Sequence, residues 1–239
     1  MSGKEAAFFA IHNSLPREGP GDRFSLDWAL RLAGVGPDAA ICDAGCGPGA
    51  DIPGLLAHVP QGHVHAVDLH PAFVAKVRTR FVSDPRVTAE VGDMTRLAGP
   101  FDFIWSAGAV YSAGIAAAMA GFRAALRPGG KAAFSQLCWL GESRPEAAAA
   151  FWAEDYPQMT DLAGVEAEIA AAGAQIIATM TLGPAGWAAY YEPLEARLDA
   201  LEPGATGDLA AQVAAHRREI AVWRDCGDSF GYRLFLVRP

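Results

Sequence analysis

The segment that most constrains the fold is Asp43-Ala44-Gly45-Cys46-Gly47-Pro48-Gly49. It follows an apolar run at 39–44 that reads as a buried strand, and it precedes a helical pattern over Ile52–His58. Glycines at alternate positions let the backbone turn sharply and let a ligand approach the main chain without meeting a Cβ. The strand–helix alternation then continues down the chain. His63–Asp68 is a second strand, after which Pro71 starts a helix at the position where a missing N–H costs nothing. Val87–Val91 and residues 101–105 are the next strands, 115–126 is a helix, and Arg127-Pro128-Gly129-Gly130 turns into a fifth strand at 131–137. Crossovers of this length join parallel strands, so the expected class is α/β, with a mostly parallel sheet and helices on both faces.

Beyond Trp139 the spacing loosens. Helices are expected at 145–152 and 160–172, a sixth strand at 175–182, helices at 185–201 and 208–225, and a last strand at 232–237. The alanine runs at 116–118 and 147–150 are strong helix formers within helices rather than low-complexity sequence. Upstream, the first 36 residues hold a short helix at 4–13, a Pro/Gly-rich loop and a second helix, capped by Asp22 or Ser25, that stops at Gly34-Val35-Gly36-Pro37. With no repeat and no flexible linker, residues 1–239 read as one domain. It comprises a helical cap at 1–36, a half at 37–140 that carries the glycine turn, and helices with the last two strands at 141–239. A chain of this length buries enough surface to fold without disulfides or a structural metal.

Charge narrows the partners. Lys and Arg number 19 against 27 Asp and Glu, a net charge of −8, and the longest basic cluster is Arg217-Arg218. A nucleic-acid partner usually requires a basic face, so none is expected, and a small or cationic partner fits better. Cys42, Cys46, Cys138 and Cys226 form no CxxC pair and no zinc spacing, so no metal is expected. The apolar run at 6–11 is too short for a signal-peptide core, and no span reaches eighteen apolar residues. The expectation is a cytoplasmic protein without a membrane partner.

Three acidic residues fall at successive strand ends: Asp43, then Asp68 25 residues later, then Asp93, which Met94 follows. In an open parallel sheet the ligand lies beyond the carboxyl ends of the strands. A carboxylate there can accept both ribose hydroxyls of a nucleoside. Gly45-x-Gly47-x-x-Ala50 also fits a relaxed dinucleotide pattern, which keeps an NAD(P)-dependent oxidoreductase as a rival. Two residues argue against it: Asp43 stands in the strand just ahead of the first glycine, and Pro48 withdraws an N–H that a pyrophosphate would use.

The segment 41–49 resembles the first motif of class I S-adenosylmethionine-dependent methyltransferases. Val67-Asp68 is similar to their acidic motif, Gly92-Asp93-Met94 to their adenine-contacting turn, and Leu126-Arg127-Pro128-Gly129-Gly130 to the loop before their fifth strand. The resemblance implies a Rossmann-like seven-stranded sheet whose last strand is antiparallel, with 175–182 and 232–237 supplying the sixth and seventh strands. Segments 12–21, 101–111 and 187–195 resemble a narrower bacterial group of small-molecule, type-11-like methyltransferases. The chain departs from that group at Ala107, where a glutamate is usual, which implies a different substrate or a weaker activity.

By this resemblance the cofactor is S-adenosyl-L-methionine, leaving as S-adenosyl-L-homocysteine, and the partner is a small-molecule methyl acceptor. Backbone groups of Ala44, Gly45, Cys46 and Gly47 would meet the methionine portion, with Asp43 on its amino group or on turn amides. Asp68 would take the ribose hydroxyls and Leu69 would pack on adenine. Gly92 belongs to the adenine turn, where Asp93 would accept from the adenine amino group and Met94 would cover the ring. Ser106, Ala107 and Gly108 would flank the sulfonium. A cofactor-binding protein without turnover is the rival that Ala107 raises.

A general base is needed only where the acceptor carries a proton; Tyr111 and His12 are the candidates. Arg17 could pair with a carboxylate of cofactor or substrate. Trp139, Trp187, Tyr190 and Tyr191 are either core or the lid wall of an apolar or aromatic acceptor. His63 and His65 face one side at the far end of their strand, and His58, His70 and His216 have no metal-ligand spacing. Cys46 lacks a flanking base. An outward face of the C-terminal helices could form a homodimer, and the N-terminal cap is expected to order when cofactor binds.

Overall fold

The computed structural model describes residues 3–239. Seven strands form one sheet in the order β3-β2-β1-β4-β5-β7-β6. They are β1 (Ala40–Ala44), β2 (His63–Asp68), β3 (Val87–Val91), β4 (Phe101–Ser106), β5 (Leu126–Trp139), β6 (Gln175–Thr181) and β7 (Phe230–Arg238). The first five pair in parallel, whereas β7 runs antiparallel between β5 and β6. The helices are α1 (Gly3–His12), α2 (Arg23–Ala33), α3 (Ile52–His58), α4 (Pro71–Arg80), α5 (Val110–Ala113), α6 (Ile115–Ala125), α7 (Glu146–Asp155), α8 (Leu162–Ala171), α9 (Pro184–Leu201) and α10 (Gly207–Cys226).

Strand alternation divides the core. Ile41, Val64, Phe103, Leu234 and Leu236 pack beneath α2 and α3, whereas Cys42, Ile104, Phe134, Phe235 and Val237 pack beneath α6 and α8. α2 shows why its sequence is helical. The Asp22 carboxylate accepts the Ser25 N–H at 2.7 Å, Leu26, Ala29, Leu30 and Ala33 recur on one face, and Gly34 ends the helix in the left-handed region at φ 68°. Because that face is buried against the sheet, α2 belongs to the sheet's covering layer. Of the 36 residues expected to form a cap, α1 and the loop after it lie over the site. A third apolar cluster joins α1, α7, α9 and α10 to the ends of β5 and β7.

Two local features differ from the pattern read in the sequence. β5 begins at Leu126, which pairs with Phe101; residues 127–130 then bulge out, and pairing resumes at Phe103 with Lys131. Between β4 and α6 the chain makes the short helix α5, a single turn that carries too few residues for a periodic signal.

Candidate active site

The sheet order reverses between β1 and β4, and there, at the carboxyl ends of the strands, a cavity of about 490 Å³ opens. One wall is the glycine turn. Gly45, Gly47 and Gly49 hold φ of 78°, 50° and 82°, values that favour glycine, and a Cβ on Gly45 would overlap that of Ala109. The Gly45 and Cys46 N–H groups donate to Val67 O at 2.8 and 3.0 Å, and Gly47 N–H donates to Asp68 Oδ2 at 2.8 Å. These amides therefore tie the turn to β2, and none of them serves Asp43.

Asp43 is 3% exposed, stands on the cavity wall, and its Oδ2 is buried without a hydrogen-bond partner. Burial above all, with Asp51 and Asp68 adding repulsion and Arg17 opposing, pushes its carboxyl well above the usual range. Asp68 also faces the cavity, and its Oδ1 accepts the His70 N–H at 2.8 Å. Each oxygen keeps a lone pair for a ligand. Arg17 lines the same wall but is already engaged, with Nε donating to Gly19 O at 2.6 Å and Nη2 lying 3.5 Å from Asp51 Oδ1. Cys46 is buried, and burial with the charges of Asp43 and Asp68 holds its thiol protonated.

Leu69, Gly92 and Met94 extend the wall along the ends of β2 and β3. Asp93 lies off it, its Oδ1 accepting the Thr95 N–H at 2.8 Å as the cap of a 3₁₀ turn at Met94–Arg96. Ser106 and Ala44 are also off it, because the fully buried Ser106 hydroxyl donates to Ala44 O at 2.7 Å and so staples β4 to β1. Ala107 and Gly108, the next two residues, do line the cavity.

The opposite wall comes from segments far apart in sequence. Tyr111 on α5, Trp152 and Asp155 on α7 with Tyr156 after it, Trp187 and Tyr190 on α9, His216 and Glu219 on α10, and Tyr232 on β7 all face it, together with Phe8 and His12 on α1. His12 is 3% exposed and stacks on Phe8 at 4.1 Å between ring centroids. Its Nδ1 lies 2.7 Å from Glu18 Oε2 and its Nε2 lies 3.1 Å from His216 Nε2; His216 Nδ1 is 3.4 Å from Glu219 Oε2. Tyr111 keeps its proton through neutrality, since burial first and then Asp155 and Glu219 raise its pKa.

Sequence reading missed His70, His216, Asp155, Tyr156, Glu219 and Tyr232 on these walls. His216 and Glu219, three apart on one helix, were a local signal for a shared face. Trp139 and Tyr191 stand outside the cavity. Trp139 packs edge-on against Phe230 with the Arg144 guanidinium over its ring, and Tyr191 is 2% exposed with its hydroxyl donating to Glu219 Oε1 at 2.9 Å.

Residues 41–130 match the family model described as a methyltransferase domain. The chain is 33% identical over 111 residues to a malonyl-[acyl-carrier protein] O-methyltransferase of Dechloromonas aromatica, covering 45% of this chain and 41% of that one. It is 30% identical over 156 residues to the protein of the same name from Enterobacter lignolyticus, covering 64% and 57%. The chain thus spans about half the length of the curated relatives it matches. A solved Geobacter sulfurreducens S-adenosylmethionine-dependent methyltransferase, in complex with S-adenosyl-L-homocysteine, superposes over 98% of both chains with a TM-score of 0.81 at 19% identity. Residues 41–130 therefore match a methyltransferase domain, and the fold is that of solved S-adenosylmethionine-dependent methyltransferases.

Proposed function

We propose that the protein transfers a methyl group from S-adenosyl-L-methionine to a small-molecule acceptor. The observation that carries this reading is Asp43, a buried carboxylate on the cavity wall with an unpartnered oxygen. A buried unpaired charge is costly unless a ligand answers it, and the ammonium of the methionine portion is such a ligand. A pyrophosphate would instead meet the negative charge of Asp43 and Asp68, which disfavours the dinucleotide rival.

In this reading Asp43 holds the ammonium and Asp68 accepts the ribose hydroxyls while keeping the Gly47 and His70 amides. Leu69 and Met94 enclose the adenine and Gly92 lets it approach, while Asp93 stays off the wall as the cap of Thr95. When bound, the cofactor supplies a methyl group on a sulfonium whose departing sulfur requires no proton. The protein's part is to hold the acceptor in line beside Ala107 and Gly108 and to exclude water, worth about 7–11 kcal/mol of barrier. Tyr111 donates a hydrogen bond rather than acting as base. The His12–His216 pair is the proton acceptor.

The acceptor's size follows from the volume. Pockets of about 300–1,000 Å³ hold one drug-sized ligand, and this one of about 490 Å³ has to take cofactor and acceptor together. Four unpaired thiols support a reducing compartment, and we place the protein in the cytoplasm on that ground. Calorimetric titration with S-adenosyl-L-methionine, S-adenosyl-L-homocysteine and NADH tests the reading, followed by transfer of labelled methyl to candidate acceptors. Micromolar binding of the first two with no heat from NADH is expected; binding of NADH alone would overturn the reading.

A further inference from the structure

We infer that the methyl acceptor is a cationic amine, its nitrogen held by Asp155, Glu219 and the hydroxyls of Tyr190 and Tyr232, with His216 Nδ1 taking its proton. The inference rests on the methyltransferase reading above and names the substrate class of that same cavity. Six carboxylates line it (Glu18, Asp43, Asp51, Asp68, Asp155 and Glu219), against Arg17 as the one Arg or Lys among the described residues. Arg17 faces Asp51, and the cofactor accounts for Asp43 and Asp68. Glu18, Asp155 and Glu219 remain, and no guanidinium or ammonium of the described residues pairs with them on the acceptor side. A carboxylate-bearing acceptor would enter this field against repulsion, whereas an ammonium would complete it.

Two tyrosines carry the point independently of the charges. Tyr190 is 6% exposed and lines the cavity, yet its hydroxyl has no hydrogen-bond partner among the described residues. A buried hydroxyl left open to a cavity is completed by a ligand. Tyr232 also lines the cavity without such a partner, and its hydroxyl lies 3.9 Å from where a Cβ on Gly108 would stand. That position puts it beside the end of β4, next to the proposed donor side. Tyr190 and Tyr232 both feel the charge of Glu219, and their phenols are held protonated, burial being the first cause. The aromatic rings of Trp152, Trp187 and Tyr111 supply faces that also favour a cation.

Proton placement follows from the histidine chain. The 2.7 Å contact with Glu18 requires a proton on His12 Nδ1, so a neutral His12 accepts at Nε2. The proton of the 3.1 Å Nε2–Nε2 bond then belongs to His216, which leaves His216 Nδ1 free to accept, 3.4 Å from Glu219. An ammonium RNH₃⁺ gives one proton to that atom, and the new Nδ1–H is paired by the Glu219 carboxylate. The freed nitrogen lone pair forms the N–C bond as the methyl carbon–sulfur bond breaks, with its electron pair staying on sulfur. The products are a methylammonium and a neutral thioether.

The test uses the whole protein saturated with S-adenosyl-L-homocysteine. Benzylamine, phenethylamine, cyclohexylamine and tryptamine are titrated alongside the alcohol and the carboxylate of each skeleton, with heat and thermal shift as readouts. Amines are expected to bind at least tenfold more tightly than the matched alcohols and carboxylates. Asp155→Asn and Glu219→Gln should each remove most of that preference while leaving S-adenosyl-L-homocysteine affinity unchanged, and His216→Asn should keep amine binding but slow labelled methyl transfer at least a hundredfold. Carboxylates binding as tightly as amines, no amine binding, or a preference untouched by both carboxylate variants would overturn the inference while the cofactor reading stands. Failure to bind S-adenosyl-L-homocysteine would overturn both.

Discussion

Replacing Asp43 by Asn separates what this carboxylate does for the ligand from what it does to the fold. The side chain is buried, one oxygen is unpartnered, and burial with two neighbouring carboxylates raises its pKa. A raised carboxyl means that the native state binds the proton more tightly than the unfolded chain does. The ligand-free protein therefore loses stability as pH rises from the unfolded value of about 3.9 through the folded one. Asparagine keeps the shape and removes the charge, and leaving a buried polar group unsatisfied costs about 1–3 kcal/mol. Partial relief of that cost should raise the melting temperature of the ligand-free protein by about 2–4 °C per kcal/mol recovered, for a chain of this size. On the proposed function, the same substitution removes a charge-assisted hydrogen bond to the cofactor ammonium worth about 1.5–3 kcal/mol, or roughly 10- to 150-fold in Kd. Differential scanning fluorimetry without ligand and calorimetry with S-adenosyl-L-homocysteine read the two effects separately. A variant that melts lower than the parent and binds the cofactor equally well would refute the reasoning.

Other expectations follow from single contacts. Gly45→Ala forces a left-handed φ on a side chain and overlaps Ala109, so it should cost about 1–3 kcal/mol in denaturant unfolding; an unchanged midpoint would show that the turn can shift. Tyr111→Phe should leave the shape of the pH–rate profile between about pH 6 and 9 unchanged, because a phenol raised above its usual value of about 10 contributes no limb there. The Thr95 amide lowers the Asp93 pKa. Its contribution should be complete above about pH 3.9 and be lost as pH falls through the lower folded value, which acid unfolding of Asp93→Ala against the parent would detect. Hydrogen exchange over residues 4–36 should slow when S-adenosyl-L-homocysteine binds; equal rates in both states would remove any ordering role for α1 and its following loop.

The two halves of the cavity differ in how readable they were. The side that holds the glycine turn is built from short contiguous segments at strand ends, where a glycine that must turn and a carboxylate that must face the crevice sit within a few residues of each other. Strand periodicity and the turn therefore located Asp43, Gly45, Gly47 and Asp68 together. The opposite side has no such economy, since His12 meets His216 across 204 positions and Tyr232 arrives from an antiparallel strand. The i, i+3 spacing pairs Glu219 with His216, but nothing local says where that face of α10 points until the helix is docked. Aromatic residues misdirect for a related reason: Trp187 and Tyr191 share a helix face, yet Trp187 lines the cavity and Tyr191 is packed beneath it. Ser106 and Asp93 show a further limit, because a polar residue at a strand end is equally suited to satisfying the backbone beside it.

The insertion of β7 between β5 and β6 sets the order in which the sheet can close. Five parallel strands are complete once residue 139 has left the ribosome, but β6 has no neighbour until residues 230–238 follow it. Throughout that interval β5 and β6 each present unpaired backbone groups, the arrangement that recruits other chains. Fragments ending before residue 230 should thus be retained in aggregates even though they carry the whole glycine turn. The final helix α10 and β7 must both emerge before His216, Glu219 and Tyr232 can reach the cavity, so the wall that holds the glycine turn can form well ahead of the wall that faces it.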